Sequence, residues 1–233
     1  MNSIHWFARL KILLRGDPEQ MLAELLRSDC RAMIDYCLII CLGCGLYGFT
    51  VGIWRAPVQS LYTALKFPLL IFLTAGGNGL LNGMLAQVLG SGLSFRQTFL
   101  AILMSFAIAA VILGALSPVT LLVVLNAPPL GSDRDVTGHS VVLLTHVFLI
   151  AYAGILANRH LLRLLTRSSG GYGQARRILL SWLAGNLLLG SQLAWVLRPF
   201  FGSPRLAVQF FRHDPLRGNF YEAVGHALIR VFF

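Results

Sequence analysis

The stretch at residues 67–89 constrains the fold more than any other part of the chain. It reads FPLLIFLTAGGNGLLNGMLAQVL and contains no charged side chain. A helix rises about 1.5 Å per residue, so a segment of this length crosses the roughly 30 Å hydrocarbon core of a bilayer. Asn78 and Asn82 are too polar to face lipid and are expected to turn toward neighbouring helices. The stretch therefore predicts a transmembrane helix packed inside a bundle.

Four further windows also lack charged side chains. An ionised side chain at the centre of a bilayer costs at least about 2.5 kcal/mol, so such windows mark membrane spans. A composition of 56% hydrophobic and 12% charged residues likewise lies outside the range of soluble globular proteins. The predicted fold is all-α, a polytopic integral membrane helix bundle of five transmembrane helices, near residues 36–54, 67–89, 98–125, 140–158 and 178–197.

The spans divide the chain into a cytosolic basic amphipathic segment at 1–34, a five-span domain at 35–197 and an aromatic, basic tail at 198–233. Lys and Arg number five in the N-terminal segment, one near 90–97 and five in 159–177, against two and one in the alternate connections. Because basic loops stay in the cytoplasm, the N-terminus is predicted to be cytoplasmic and the tail to lie across the membrane. The net charge of +10 suits anionic lipid headgroups, and no nucleic-acid partner is predicted.

Short motifs predict where several helices begin and end. DPEQ at 17–20 offers an N-cap and a first-turn proline, and SFRQ at 94–97 is a capping box for the third span. KFP at 66–68 is interpreted as the start of the second span, with Pro68 in its first turn. Pro118 is expected to kink or break the third span.

The N-terminal arm at residues 4–15 alternates apolar and basic side chains with helical spacing. This pattern is typical of a helix lying among lipid headgroups, and it predicts headgroup contacts for Arg9, Lys11 and Arg15. An ordinary solvated or partner-packed helix shows the same pattern, so that alternative stays open.

Aromatic pairs beside arginines distinguish the C-terminal tail from a solvated linker. Such pairs fit an interfacial belt, a docking surface for a partner, or packing against the protein's own spans. Asn219 and Glu222 are expected to cap a short final helix. The residues predicted to dock a partner or an interface are Arg198, Phe200, Phe201, Phe210, Phe211, Phe220 and Tyr221.

Small and amide side chains recur inside the predicted spans. They allow close approach of helices and interhelical hydrogen bonds, and the alternative is a polar lining for a solute or ion path. The absence of Asp, Glu, Lys and Arg from the five windows argues against transport, since carriers normally need such a group. The predicted packing or polar interior positions are Gly48, Gly52, Asn78, Gly79, Asn82, Gly83, Asn186, Gly190 and Gln192.

No cofactor, metal site or catalytic residue is predicted. Cys30, Cys37, Cys41 and Cys44 lie along one helical stripe, which favours small-residue packing over a soft-metal site because one helix cannot fold them around an ion. His146 lies well inside the fourth window, where a hydrogen-bonded interior histidine is favoured over an axial haem or metal ligand. The sequence contains no phosphate loop, nucleophile elbow or zinc motif, so the protein is not predicted to be an enzyme.

Four segments resemble the bacterial members of the Yip1-like family: LLRGDPEQMLAELL, GCGLYGFTVG, LYTALKFPLLIFL and LGSGLSFRQTFLAILMSFAIAAVILGALSPV. The resemblance covers about residues 13–125. It implies five spans, a cytosolic N-terminus and a C-terminus across the membrane, here the inner membrane of a bacterium. Its eukaryotic members act in vesicle trafficking through protein contacts, and its bacterial members mostly lack an assigned activity.

The function expected from the sequence is a non-enzymatic membrane scaffold or accessory subunit. Its partners would be the lipid bilayer and other membrane proteins or copies of itself. One alternative is a channel or small-solute transporter with a path lined by Asn78, Asn82 and Asn186. A weaker alternative is a cofactor-holding subunit of a membrane redox complex that uses His146.

Overall fold

A computed structural model describes residues 3–128, 130–202 and 207–232. These residues form nine helices and no strand. The helices are α1 (Ser3–Arg15), α2 (Pro18–Arg27), α3 (Cys30–Gly52), α4 (Pro57–Val88), α5 (Phe95–Ala115), α6 (Ser117–Asn126), α7 (Asp135–Ser168), α8 (Tyr172–Val196) and α9 (Phe220–Phe232).

Five of these helices are long and apolar enough to cross a membrane: α3, α4, α5, α7 and α8, with 23, 32, 21, 34 and 25 residues. The prediction of an all-α bundle with five spans is confirmed, and the protein is an integral membrane protein. Apolar side chains cover much of the outer surface, as expected where the surrounding solvent is lipid.

The predicted start of the second span is wrong. Helix α4 begins at Pro57 rather than at residues 66–68, so Lys66 and Pro68 both lie inside it. Pro57 is the residue that occupies the first helical turn, where its missing N–H is not needed. Pro68 has no N–H, so the carbonyl of Ala64 lacks its usual helical hydrogen bond. A long helix buried among neighbours tolerates this loss.

Other helix ends follow their sequence signals. The third span breaks at Leu116, two residues before Pro118, into α5 and α6. Ser94 and Gln97 form the predicted capping box, with a 2.9 Å bond from Ser94 N to Gln97 Oε1 and a 3.3 Å bond from Gln97 N to Ser94 Oγ. Asn219 caps α9 by accepting a 2.9 Å bond from Glu222 N. These predictions are confirmed.

The two ends of the bundle hold different connections. At one end, α2 contacts the end of α7 through an Arg167–Glu19 ion pair of 3.2 Å, and Gln174 Nε2 donates to Leu89 O at 2.8 Å. At the other end, Trp54 Nε1 donates to Pro128 O at 3.3 Å. The N-terminal helices therefore share one end with residues 89–96 and 168–172. The α3–α4 and α6–α7 connections share the opposite end with the tail.

Helix α1 packs on the core through Leu13 and is also held by Arg9, whose side chain is 13% exposed. Arg9 contacts the carboxylates of Glu24 at 3.3 Å, Asp29 at 3.6 Å and Asp35. Burial lowers the pKa of Arg9, but the hydrogen bond to Asp35 and the charges of Glu24 and Asp35 outweigh it, so the pKa lies above its usual value. The headgroup role predicted for Arg9 does not fit this geometry, because three carboxylates already surround its guanidinium.

Lys11 and Arg15, by contrast, are exposed on α1. Their predicted headgroup contacts stay a prediction. Since Arg9 points into the protein and Lys11 points away, α1 has one face for the bundle and one face for its surroundings.

Candidate functional site

A stripe of buried polar side chains runs along α4 and is the most unusual feature of the bundle. Its members are each at most 4% exposed, and successive members are three, four or eight residues apart, so each lies near the next and the stripe winds partly around the helix along its length. From first to last the stripe spans about 35 Å of helix axis. We call it the α4 polar stripe; it comprises Gln59, Thr63, Lys66, Thr74, Asn78 and Asn82.

Lys66 is the residue that the sequence analysis placed outside the span. It lies about 13 Å along the helix axis from Pro57 and is fully buried. Its neighbour Phe67 makes an edge contact with Tyr47, which in turn bonds His146, a residue well inside α7. The five predicted windows contain no Asp, Glu, Lys or Arg, but α4 extends beyond its window and carries Lys66 next to these central aromatic residues.

The ammonium of Lys66 is held by the backbone of the C-terminal tail. Its Nζ donates to the carbonyl oxygen of Pro199 at 2.9 Å and to that of Phe210. Three phenylalanine rings surround the same atom, with centroids 5.9 Å away for Phe200, 4.7 Å for Phe210 and 5.6 Å for Phe211. Carbonyls and ring faces both attract a cation, but none of these groups carries a charge.

Two further donors of the α4 polar stripe hold the same segment. Gln59 Nε2 donates to Pro199 O at 3.0 Å and to Phe200 O at 2.8 Å. The Thr63 hydroxyl shares its proton between Phe200 O and, at 2.7 Å, Gln59 O. Irregular backbone at membrane depth is tolerated only where its polar groups find partners in the protein. Gln59, Thr63 and Lys66 form a set that we call the donor triad, and it lets the tail enter the bundle.

Basic side chains gather around the donor triad. Arg198 bonds the carbonyls of Trp195 at 2.9 Å and Pro215 at 2.6 Å. Burial lowers the pKa of Arg212, as do the charges of Arg198 and Arg55 in turn. Arg212 also lies close enough to Lys66 for the two charges to repel. Four cations therefore meet at this end of the bundle.

His146 lies behind the tail as part of an aromatic cluster. Its Nδ1 is 2.6 Å from Tyr47 Oη, and Phe201 stacks on the imidazole with a centroid distance of 5.6 Å. Nε2 is buried without a hydrogen-bond partner among the described residues. The arrangement matches the interior, hydrogen-bonded histidine that the sequence analysis favoured.

The part of the α4 polar stripe nearer the C-terminal end of α4 faces α8. Asn78 Nδ2 donates to Asn186 Oδ1 at 2.7 Å, which joins two of the predicted interior amides. Both amide atoms of Asn82, together with Trp182 Nε1 and Thr98 Oγ1, are buried without a partner within the described part of the chain. Helices α4, α5 and α8 thus enclose an amide cluster with spare hydrogen-bonding capacity.

Most of the predicted glycines lie at close helix contacts. A methyl group at Gly48 would come within 2.6 Å of Thr63 O, and one at Gly52 within 2.5 Å of Ser60 Cα, both on α4. At Gly79 and Gly83 it would meet Phe99 at 2.8 Å and Phe95 at 2.4 Å. The nearest atom to such a group at Gly190 is on Thr74 at 3.6 Å. Gln192, from the same predicted set, is instead exposed on the outer side of α8.

The predicted docking residues of the tail divide between inside and outside. Phe200, Phe201 and Phe210 contact the protein's own helices through Phe67, His146 and Tyr62, respectively. Arg198 holds tail carbonyls, and the Phe220 ring contacts that of Tyr221. Phe211 and Tyr221 are exposed, at 49% and 59%.

The cysteine stripe is only partly a packing surface. Cys44 is buried and Cys37 is half-buried, whereas Cys30 and Cys41 are exposed. Over the residues that the structure describes, no group of three or more His, Cys, Asp or Glu side chains is arranged to hold a metal ion.

Gln59, Thr63 and Lys66 are not among the site residues predicted from the sequence. Their spacing of four and three residues, after a proline that can begin a helix, is the signal that indicates one shared helix face. The predicted spans end at charged residues, so Lys66 marks a boundary in that prediction. Their partners in the tail lie more than 130 residues away in sequence, which no local pattern reveals.

Comparisons with protein-family models, with curated proteins and with solved structures find no match for this chain. The resemblance to the Yip1-like family stays a prediction.

Proposed function

We propose that the protein is a non-enzymatic membrane subunit that binds other membrane proteins, or further copies of itself, through the outer face of α8. One observation carries this proposal. The buried residues of α8 all lie in its first half, at Ala175, Ile178, Leu179 and Trp182. Residues 183–196 contain no buried side chain.

The exposed side of α8 within residues 183–196 is not purely apolar. Ala184, Leu188 and Gln192 follow one another at intervals of four residues and are all exposed, so they form one outward stripe. Lipid tails cannot satisfy the Gln192 amide, but a neighbouring helix with a donor or acceptor can. The small side chain of Ala184 lets a second backbone come close. These features support a helix that packs against a partner.

The test is the association constant in a bilayer. Interhelical hydrogen bonds are worth about 0.6–2 kcal/mol, so Gln192→Leu should weaken association by about 3- to 30-fold. Energy transfer between labelled chains, diluted with lipid, measures self-association, and the stoichiometry of chains purified from the native membrane measures a second protein. Gln87→Leu makes the same exchange at an exposed position of α4 and serves as the control. Equal association for wild type and Gln192→Leu would overturn the proposal.

We further propose the inner membrane of a bacterium, with the N-terminus in the cytoplasm. Of the 19 Lys and Arg residues, eleven lie in 1–35, 89–96 and 159–177, the segments at the α1–α2 end of the bundle. The bias of basic residues toward the cytoplasm supports that end as the cytoplasmic one.

A channel or small-solute carrier is the second candidate, and Lys66 favours it. Ionisable side chains inside spans commonly mark solute paths, and Lys66 is a buried ionisable side chain inside α4. The α4 polar stripe would line the path, with Asn186 opposite Asn78. Solute flux into liposomes that is lost in Asn78→Leu and Asn82→Leu, but kept in Gln87→Leu, would support this function. Flux equal to that of empty liposomes would exclude it.

A further inference from the structure

We propose that the donor triad is a binding site for a small oxyanion, a carboxylate or a phosphate, and that tail residues 199–200 and 210 occupy the anion's place in this structure. The inference does not depend on α8 as an interface. It also holds whether the anion is transported or only bound.

The donors of the site all point to oxygen. Lys66 Nζ, Gln59 Nε2 and Thr63 Oγ1 lie within two turns on one side of α4 and donate to the carbonyl oxygens of Pro199, Phe200 and Phe210. Three converging donors around a few oxygen atoms are the arrangement that a carboxylate or phosphate group needs. The carbonyl oxygens therefore stand where the oxygens of an anion would lie.

The lysine is the observation that separates an anion site from a simple anchor for the tail. A neutral donor such as Gln59 satisfies a backbone carbonyl fully, without the cost of placing an ammonium inside a membrane span. The surrounding charges increase this cost, because the positive charge of Arg212 repels that of Lys66. The described hydrogen-bond acceptors of Lys66 are neutral carbonyls, which do not balance its charge, and a bound anion would balance it.

A second observation is independent of the tail contacts. Gln59 Oε1 and His146 Nε2 are buried in this region without a hydrogen-bond partner among the described residues. Both atoms belong to fully or almost fully buried side chains, at 0% and 4% exposure. A neutral imidazole can donate from Nε2 to a ligand while Nδ1 accepts the Tyr47 hydroxyl at 2.6 Å. A protonated acid or a bound water can likewise donate to Gln59.

Binding then requires the tail to withdraw. The apparent affinity for the anion falls by the fraction of molecules whose tail is out, so loosening the tail should strengthen binding. Phe201 holds the segment by stacking on His146 and lies outside the donor triad. Phe201→Ala should therefore bind the anion more tightly than wild type, by about tenfold if it costs the tail about 1.4 kcal/mol.

The binding experiment uses the full chain in detergent with acetate and with inorganic phosphate as probes, against chloride at equal ionic strength. A saturable rise in unfolding temperature is expected for one or both probes in wild type, at lower concentration in Phe201→Ala. Lys66→Gln keeps a neutral donor for the tail and should lose the effect, whereas Lys66→Arg should keep it. The inference is overturned if the probes act no differently from chloride, or if Lys66→Gln responds like wild type.

A competition experiment does not depend on any change to the triad. Tyr62 on α4 and Phe210 in the tail are in ring contact, with centroids 5.2 Å apart. With the four native cysteines replaced by serine, Tyr62→Cys and Phe210→Cys can be joined by a short, reducible thiol cross-linker. Bound anion should slow this cross-linking several-fold. An unchanged rate with saturating acetate and phosphate would contradict displacement of the tail.

The outcomes also separate this inference from the proposed functions. Anion binding without flux leaves the site in place and removes the carrier function. Flux of a neutral solute with no anion binding supports the carrier function and removes the anion site. The association measured for Gln192→Leu tests the α8 interface and bears on neither the anion site nor the carrier function.

Discussion

At the scale of single residues, buried polar groups define what is special about this bundle. Lys66, Gln59 and Thr63 bond backbone carbonyls of the tail, and Tyr47 and His146 bond each other across α3 and α7. Hydropathy does not identify such groups, because each sits in or beside an apolar window. Their partners come from elements distant in sequence, so contact geometry reveals them and composition does not.

The Tyr47–His146 pair gives a prediction at this scale. Tyr47→Phe removes the only hydroxyl that bonds His146 Nδ1 among the described contacts and leaves a buried imidazole nitrogen unsatisfied. The cost of such a group is about 1–3 kcal/mol, so thermal unfolding in detergent should occur at a lower temperature. Tyr152→Phe, at an exposed position of α7, should change little. Equal unfolding temperatures for the two variants would show that the bond does not stabilise the bundle.

At the scale of helices, capping residues and Pro118 predicted helix ends better than the limits of the charge-free windows did. Capping residues and Pro118 correctly fixed the starts of α2, α5, α6 and α9, since these signals act within a few residues. The start of α4 was missed because two prolines compete for it, and the tertiary fold selects Pro57. Helix α7 extends to Ser168, beyond its apolar window, because its last turns pack on α2 and not in lipid.

The contact between α3 and α4 depends on two glycines. At Gly52, a methyl group would lie 2.5 Å from Ser60 Cα and 2.6 Å from Gln59 O, so Gly52→Ala should push the helices apart. Overpacking of this kind costs about 1–3 kcal/mol, which calorimetry or thermal unfolding in detergent can measure. Gly154→Ala on α7 is the matched control, because a methyl group there has nothing within 4 Å. If both variants unfold like wild type, α3 and α4 do not meet as described.

The attachment of α1 gives a second prediction for an element. Arg9→Gln leaves Glu24 and Asp35 without their cation, and hydrogen bonds to charged groups are worth about 1.5–3 kcal/mol. Helix α1 should detach more often, so proteolysis near Gly16 should accelerate. Lys11→Gln, at an exposed position of the same helix, should leave the rate unchanged. Equal rates for both variants would mean that the carboxylates do not hold α1.

At the scale of the whole molecule, five spans predict that the two ends of the chain lie on opposite sides of a membrane. The same arrangement separates the α1–α2 end, with its Arg9 carboxylate network, from the tail end, with its cluster around Lys66. The span count was predictable from charge-free windows. The tail's position was not, because it depends on contacts between residues more than 130 positions apart.

The most direct test of this account labels single cysteines from each side of a sealed membrane. In a chain whose native cysteines are replaced by serine, Lys11→Cys reports on exposed α1 and Leu216→Cys on the tail, where Leu216 is 81% exposed. A membrane-impermeant maleimide added to oriented vesicles should label one position from outside and the other only after permeabilisation. Labelling of both positions from the same side would contradict the five-span fold.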